Sequence, residues 1–287
     1  MEPIHRVAVV GAGNMGSGIA QKSAQEEFDV QMVDRELQWV ERGQSIIADF
    51  LSEAVERRIF SPAQVESIQH RITGVVGVEN TAEDTDLVIE AVFEDFDVKT
   101  AVFNALDEAC GDSTILASNT SSLSVNALAE ATGRADRFVG LHFFYHPAKN
   151  RLVEVIPAQS SSQETIDKVV QYCKMLGKVV IVCADRPGFV VNRFFVPWLN
   201  EACLLLEEGV ANAAQIDAVL RRHLSPEARA RLARIALVEP KRVQSIKADL
   251  AAMVSQGTLS TPMSDASLKQ LLTQLSKSRS NASVRRI

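Results

Sequence analysis

The chain of 287 residues has no cysteine pair at metal-ligand or redox spacing; its four cysteines stand at positions 110, 173, 183 and 203. That argues against a metal site and against a disulfide framework, and it suits a reducing compartment. No apolar run approaches the ~20 residues of a membrane span, so no membrane partner is expected. Between Met1 and the strand-like run RVAVV there is no room for a targeting segment, and the expected location is cytoplasmic. Internal repeats are absent. Aromatic residues are missing from residues 221–287, which argues against stacking on single-stranded nucleic acid there. No strand is credible beyond Gln215.

What is present is a hydrophobic content of 46%, enough for one large or two medium domains with real cores. The net charge of −6 conceals an asymmetry. Residues 221–287 hold 13 Lys+Arg against 4 Asp+Glu, which leaves 17 against 32 in residues 1–220. An acidic body thus carries a basic end, and the basic end points to an anionic partner.

Strand and helix signals alternate over the first two thirds. RVAVV, FDVQMVD, ITGVV, DLVIEAV, STILAS, RFVGLHF, RLVEVIP and KVVIVCAD read as strands. Helices are predicted through Gln25, over Glu36–Arg58, from the Ser61-Pro62 cap, and near 97–110, 124–132 and 163–176. This βαβ alternation implies a largely parallel sheet covered on both faces. The character changes at Arg186-Pro187-Gly188. FVVNRFFVPWLNEACLLLEEGV reads as one long apolar helix, and Pro197 should kink it. Beyond it, helices are predicted from Ser225-Pro226 to about Leu237, over about 241–256, and from Ser264-Asp265 to about Ser276. The last ten residues are small, polar and basic, and are expected to fray.

GAGNMG at Gly11–Gly16 fits G-x-G-x-x-G. The pattern alone is weak, but here it follows a strand, opens a helix and precedes Asp34, at the end of the next strand. Gly11 allows the tight turn, Gly13 lets the backbone approach a pyrophosphate, and Gly16 permits close helix–sheet packing. Asn14 and Met15 complete the loop at the helix N-terminus, whose N–H groups and dipole favour an anion. Asp34 should accept ribose hydroxyls and repel a 2′-phosphate, which favours NAD over NADP; Arg35 beside it weakens that choice.

Glu154 lies inside the apolar stretch LVEVI. A lone buried carboxylate is costly and needs a partner. His142, twelve residues earlier, is the candidate: an Nδ1–H donated to the carboxylate would fix the tautomer and leave Nε2 to take a proton. His142 could instead be a satisfied core histidine or a metal ligand. His146 has no ligand-spaced partner beyond His142, which disfavours metal; the embedded Glu154 and the cofactor loop favour a general base. SNTSS at 118–122 follows a strand and reads equally well as a holder of substrate oxygens or as a turn capping the helix near Ser124.

These segments, with VIEAVFEDFDVK, LHFF…RLVEV and RPGFVVNRFFVPWLNEA, occur in an order that resembles the NAD-dependent L-3-hydroxyacyl-CoA dehydrogenase family over about residues 4–215. The resemblance implies a Rossmann-type doubly wound domain over 1–186 and hydride transfer between the 3-hydroxyl carbon of an acyl-CoA and NAD, as in fatty-acid β-oxidation. It implies that His142 is the catalytic base and Glu154 its partner. Ser121 would contact the 3-oxygen and the cofactor, Glu94 and Lys99 would lie on the nicotinamide side, and Asn192 would reach the thioester side. Well-known members carry Asn where Tyr145 stands, followed here by His146; Tyr145 could still donate a hydrogen bond, and HFFYHPAKN resembles a prokaryotic branch. Residues 187–220 correspond to the start of the family's helical C-terminal domain, after which the resemblance ends. Phe194, Phe195, Trp198 and Leu204–Leu206 of the 188–209 helix would leave an apolar patch unless covered, a candidate homodimer surface.

Residues from about 223 resemble a different family, the programmed-cell-death-five proteins, whose archaeal members bind double-stranded DNA. That resemblance implies a three-helix bundle over 221–287. Arg221, Arg222, Arg229, Arg231, Arg234, Lys241, Arg242, Lys247, Lys277, Arg279, Arg285 and Arg286 would face phosphates, with salt-sensitive and largely sequence-independent binding; the alternative is a solvated basic surface. Two functions follow. One is an NAD-dependent 3-hydroxyacyl-CoA dehydrogenase. The other is an NAD-fold binding protein of little turnover whose basic bundle binds duplex DNA. A fusion would produce either.

Overall fold

The structure, a computed structural model, describes residues 3–215. The expected bundle over 221–287 and its phosphate-facing side chains lie outside the described residues. The chain divides into two compact units, Met1–Phe189 and Val190–Ile287.

The first unit alternates strands and helices: β1 (Arg6–Val10), α1 (Asn14–Gln25), β2 (Asp29–Asp34), α2 (Leu37–Glu56), α3 (Pro62–His70), β3 (Ile72–Val76), β4 (Leu87–Glu90), α4 (Phe96–Ala109), β5 (Ile115–Ser118), α5 (Val125–Glu130), β6 (Phe138–Phe143), β7 (Leu152–Pro157), α6 (Gln163–Met175) and β8 (Val179–Val182). The strands form one sheet in the order β3-β2-β1-β4-β5-β6-β7-β8. The β6–β7 pair is antiparallel; every other pair is parallel. The chain winds outward from β1 in one direction, then returns to β4 and winds in the other. The reversal between β1 and β4 opens a crevice at the carboxyl ends of the strands, where ligands of such sheets bind.

The alternation along β1 sorts the core. Val7 and Val9 pack with Ile19 of α1, Leu51 of α2 and Tyr172 of α6. Ala8 and Val10 pack with Phe103 and Leu106 of α4 and Leu128 of α5. The period of two sends neighbours to opposite faces, so both faces are covered. Strands β4, β5 and β6 are buried along their whole length, and their mostly apolar runs reflect that. Burying each large apolar side chain contributes about 1.5–3 kcal/mol. Helix starts follow their caps. At α3 the Ser61 hydroxyl accepts from Gln64 N–H at 3.3 Å and Gln64 accepts from Ser61 N–H at 2.9 Å, with Pro62 at the first helical position. Asp95, Ser124 and Ser162 cap α4, α5 and α6.

In the second unit α7 spans Val191–Glu207 and runs unbroken through Pro197. It is shorter than its apolar pattern suggested. Gly188 and Phe189 have φ of 77° and 45°, a left-handed turn that helix cannot include, and Gly209 at φ 65° stops its far end. No described residue of α7 is buried.

Candidate active site

At the switch point the Gly11 N–H donates to Val33 O at 2.7 Å. Gly11 has φ +105°, and a Cβ there would lie 2.6 Å from Ala91 O. A Cβ on Gly16 would lie 1.7 Å from Gly11 O. Both glycines are therefore obligatory for a loop folded tightly against the segment after β4. Gly13 is different: a Cβ there would meet nothing within 4 Å, so the space above it is open. Gly13 and Asn14 are exposed and Met15 half-buried. No side chain caps α1, which leaves its first N–H groups for an anion. Asp34 Oδ2 accepts from Ala12 N–H at 2.8 Å and Oδ1 from Arg35 N–H at 2.8 Å, so the carboxylate is tied to the loop at its rim. An open cradle, an uncapped helix start and a rim carboxylate fit a dinucleotide.

Across the sheet, antiparallel register sets His142 opposite Glu154. Directly opposed residues share a face, and His142 Nδ1 lies 2.8 Å from Glu154 Oε2. Glu154 is 0% exposed and His142 6%. The spacing of twelve residues is thus the span of a β6–β7 connection that returns the carboxylate to the imidazole. The ring is flanked by Phe144 and Phe189, at centroid distances of 4.5 and 5.8 Å. With Nδ1 committed to the carboxylate, Nε2 is the nitrogen left to face a substrate.

Between loop and dyad lies a cluster the sequence reading found only in part. Glu90 ends β4, 0% exposed. Its Oε1 accepts from Lys99 Nζ at 2.6 Å and Val92 N–H at 2.7 Å, and its Oε2 from the Ser118 hydroxyl at 2.7 Å. Burial raises its pKa, against the pull of Lys99. Lys99 Nζ also lies 3.3 Å from Glu94 Oε2. Glu94 Oε1 in turn collects the Thr120 hydroxyl at 2.6 Å, Ser121 N–H at 2.8 Å, Ser122 N–H at 2.9 Å and the Ser122 hydroxyl at 3.0 Å. Partial burial would raise the Glu94 pKa, but these donors and Lys99 outweigh it and bring it down to about 2. Lys99, expected on the nicotinamide side, is enclosed. Its side chain is 1% exposed, because α4 buries it and two carboxylates claim its ammonium; it bears on the crevice through Glu94.

SNTSS forms the turn that leads into α5. Thr120 Oγ1 accepts from Leu123 N–H at 2.9 Å and Ser124 caps α5, as turn residues do. Ser121 is instead fixed by Glu94, and Asn119 Oδ1 accepts from Phe143 N–H at 2.9 Å, joining this loop to the strand of His142. Tyr145 is 70% exposed and lines a recess with Phe50, His146, Lys149 and Asn150. His146 stacks on Phe50 at 4.0 Å. Asn192 is the second residue of α7, in the other unit. Among the described residues no cluster suited to a metal occurs and no helix is long and apolar enough to cross a membrane; the four cysteines are free. Sequence reasoning missed Lys178, whose Nζ donates to Pro147 O and, at 2.6 Å, to Asn150 O, pinning the β6–β7 connection. It also missed Glu90, although a lone acid in LVIEAV is the same signal that LVEVI gave for Glu154.

Comparison with known proteins agrees with this geometry. Residues 6–186 match the family model described as 3-hydroxyacyl-CoA dehydrogenase, NAD binding domain, and residues 206–286 match the one described as double-stranded DNA-binding domain. The mitochondrial hydroxyacyl-coenzyme A dehydrogenase of Sus scrofa is 38% identical over 223 residues, 76% of this chain and 71% of that protein. A 3-hydroxybutyryl-CoA dehydrogenase of Clostridioides difficile is 38% identical over 216 residues, 75% of this chain and 76% of that one. The crystal structure of (S)-3-hydroxybutyryl-CoA dehydrogenase from Ralstonia eutropha superposes with a TM-score of 0.73 at 39% identity, covering 76% of this chain and 77% of that one. With a match over most of its length and relatives this similar, the chain belongs to the NAD-dependent 3-hydroxyacyl-CoA dehydrogenase family.

Proposed function

We propose that this chain interconverts an L-3-hydroxyacyl-CoA and its 3-ketoacyl-CoA, the redox step of fatty-acid β-oxidation. The observation that carries the reading is the buried His142–Glu154 pair, Nδ1 to Oε2 at 2.8 Å, in the same domain as the Gly11–Gly16 loop and Asp34. Gly11, Gly13 and Gly16 would cradle the pyrophosphate of NAD and Asp34 would accept its ribose hydroxyls; held there, the cofactor would supply the hydride acceptor or donor. His142 Nε2 takes the 3-hydroxyl proton in oxidation and returns it in reduction. Glu154 fixes the tautomer and stabilises the imidazolium. Ser121, held by Glu94, positions the 3-oxygen. Asn192 serves the thioester side, and Tyr145 is a further hydrogen-bond donor to substrate.

The test is NADH consumption with acetoacetyl-CoA by wild type and His142→Gln. The expected outcome is a robust wild-type rate reduced by about 10²–10⁴ in the variant, the usual contribution of a positioned acid–base group. No wild-type rate would favour the binding-protein reading.

A second reading concerns the basic end and does not compete with the first. The match of residues 206–286 to a double-stranded DNA-binding domain and the surplus of cations in 221–287 support duplex binding by that segment. Its signature is affinity for duplex that falls linearly with salt on logarithmic axes. The exposed Phe195, Val196, Leu199 and Leu206 of α7 support a homodimer through residues 188–209, which sedimentation would reveal. The free cysteines are compatible with a cytoplasmic location, which fractionation of the source cell would test.

A further inference from the structure

The polar contacts at the carboxyl ends of β4 and β5 close into a ring. Lys99 Nζ joins Glu90 at 2.6 Å to Glu94 at 3.3 Å. Glu94 joins Thr120 at 2.6 Å, Thr120 N–H donates to the Ser118 hydroxyl oxygen at 3.2 Å, and that hydroxyl donates to Glu90 at 2.7 Å. The ring holds two carboxylates and one ammonium. Three contacts reach the oxygens of Glu90, and each is from a donor: an ammonium, a backbone N–H and a hydroxyl. That is the inventory a carboxylate accepts, whereas a carboxylic acid would need an acceptor for its own proton. Lys99 is nearer Glu90 than Glu94, and both members of that closer pair are almost wholly buried, with side chains 0% and 1% exposed. The charge of Glu94, whose side chain is 34% exposed, is therefore left over at the surface. The ring also abuts the cofactor loop: a Cβ on Gly11 would lie 2.6 Å from Ala91 O and 3.2 Å from Val92 N, and Val92 N–H is itself bound by Glu90.

We infer that Glu90 is a positioning residue that neutralises Lys99 from below, so that Glu94 presents a net negative charge to the nicotinamide and the site prefers the cationic, oxidised dinucleotide to the neutral, reduced one. This rests on the reading that Glu94 lines the nicotinamide side of the crevice. Without the negative charge of Glu90, Lys99 has Glu94 as its remaining counter-ion. The charge at the surface is then cancelled although no residue touching the cofactor has changed. A purely structural role for Glu90 would weaken both redox forms together. A charge role changes their ratio, because the two forms differ by one unit charge on the nicotinamide ring.

The experiment measures dissociation constants of NAD⁺ and NADH for the full chain by calorimetry and by NADH fluorescence. Glu90→Gln keeps the shape and removes the charge: the amide oxygen still accepts from Lys99 and Val92 N–H, while the amide nitrogen meets the Ser118 hydroxyl, which must turn to accept. It is expected to shift the NAD⁺/NADH affinity ratio toward NADH by roughly tenfold, the scale of one unit charge about 12 Å away at an effective dielectric near 20. Adding Lys99→Met removes the stranded cation and should return the ratio to within about threefold of wild type on the same electrostatic reasoning. Glu94→Gln, which leaves the buried pair intact, should shift the ratio as Glu90→Gln does, so the idea is tested even if that first variant fails to fold. A wild-type ratio in Glu90→Gln or in Glu94→Gln, or no recovery in the double variant, overturns the inference. Wild type that binds neither dinucleotide overturns the site reading as well, whereas a normal wild type with unmoved ratios overturns the inference alone.

Discussion

Glu90 and Glu154 are both strand carboxylates with no exposed surface, each embedded in an apolar run and each satisfied by a basic side chain. Their partners differ. Glu90 holds Lys99, a cation whose ordinary pKa lies far above neutrality; Glu154 holds His142, whose ordinary pKa lies near it. The first pair is a buried ion pair that, on the inference above, sets the charge at the cofactor end of the crevice. In the proposed reaction the second carries the substrate proton on each turnover. Burial alone therefore does not mark a catalytic carboxylate. What separates the two is whether the partner can change charge at working pH, and whether a nitrogen of that partner remains for a substrate. His142 keeps Nε2. The ammonium of Lys99 is held between two carboxylates.

The comparison predicts contrasting damage. Lys99→Met should cause the largest loss of stability, about 3–5 kcal/mol, since it leaves Glu90 as an uncompensated buried charge; a lowered midpoint of denaturant unfolding is the check. Glu90→Gln/Lys99→Met should recover most of that loss, because removing both charges of a buried pair is often nearly neutral. Next comes Lys178→Met, which leaves the carbonyls of Pro147 and Asn150 without their shared donor. It should cost about 1–3 kcal/mol and, by loosening the β6–β7 connection, lower kcat more than it raises the KM for NADH. Equal loss in both constants would count against a role at the dyad end.

The smallest effects are in pH dependence, and they fall at opposite limbs. Glu94 is held down at about 2, against 4.5 for the free group. Its contribution is present above pH 4.5 and is lost as pH falls from 4.5 toward 2, because the unfolded chain takes up the proton first. Lys178 is brought down to about 8 from 10.5, burial being the main cause. Between those values the unfolded chain holds a proton the folded chain has released, so stability rises with pH across that window. Thermal unfolding at stepped pH should show the acid limb flatten in Glu94→Gln and the alkaline rise vanish in Lys178→Met. A wild-type profile in either variant would break the assignment of that limb.

Much of this was legible in the chain itself. The eight strands follow their apolar runs. The switch-point loop follows from glycines whose Cβ positions are blocked at Gly11 and Gly16 and open at Gly13. The dyad was legible because a carboxylate in LVEVI needs a buried partner and the antiparallel return supplies one. Other features were not, for physical reasons. The resemblance places Lys99 on the nicotinamide side; its burial depends on which face of α4 turns inward, and on Glu90, nine residues earlier. The staple by Lys178 binds backbone carbonyls, which leave no mark in side-chain identity. The length of α7 was set by the left-handed Gly188-Phe189 turn, a backbone event that an apolar pattern does not record.

The most direct test of the contrast is kcat for NADH-dependent reduction of acetoacetyl-CoA by Glu154→Gln, with the melting temperature taken on the same preparation. The account predicts that kcat falls by about 100-fold or more, within the range for impaired acid–base catalysis, while the protein melts within a few degrees of wild type. A kcat within about threefold of wild type, too small a change for the partner of a catalytic base, would contradict it.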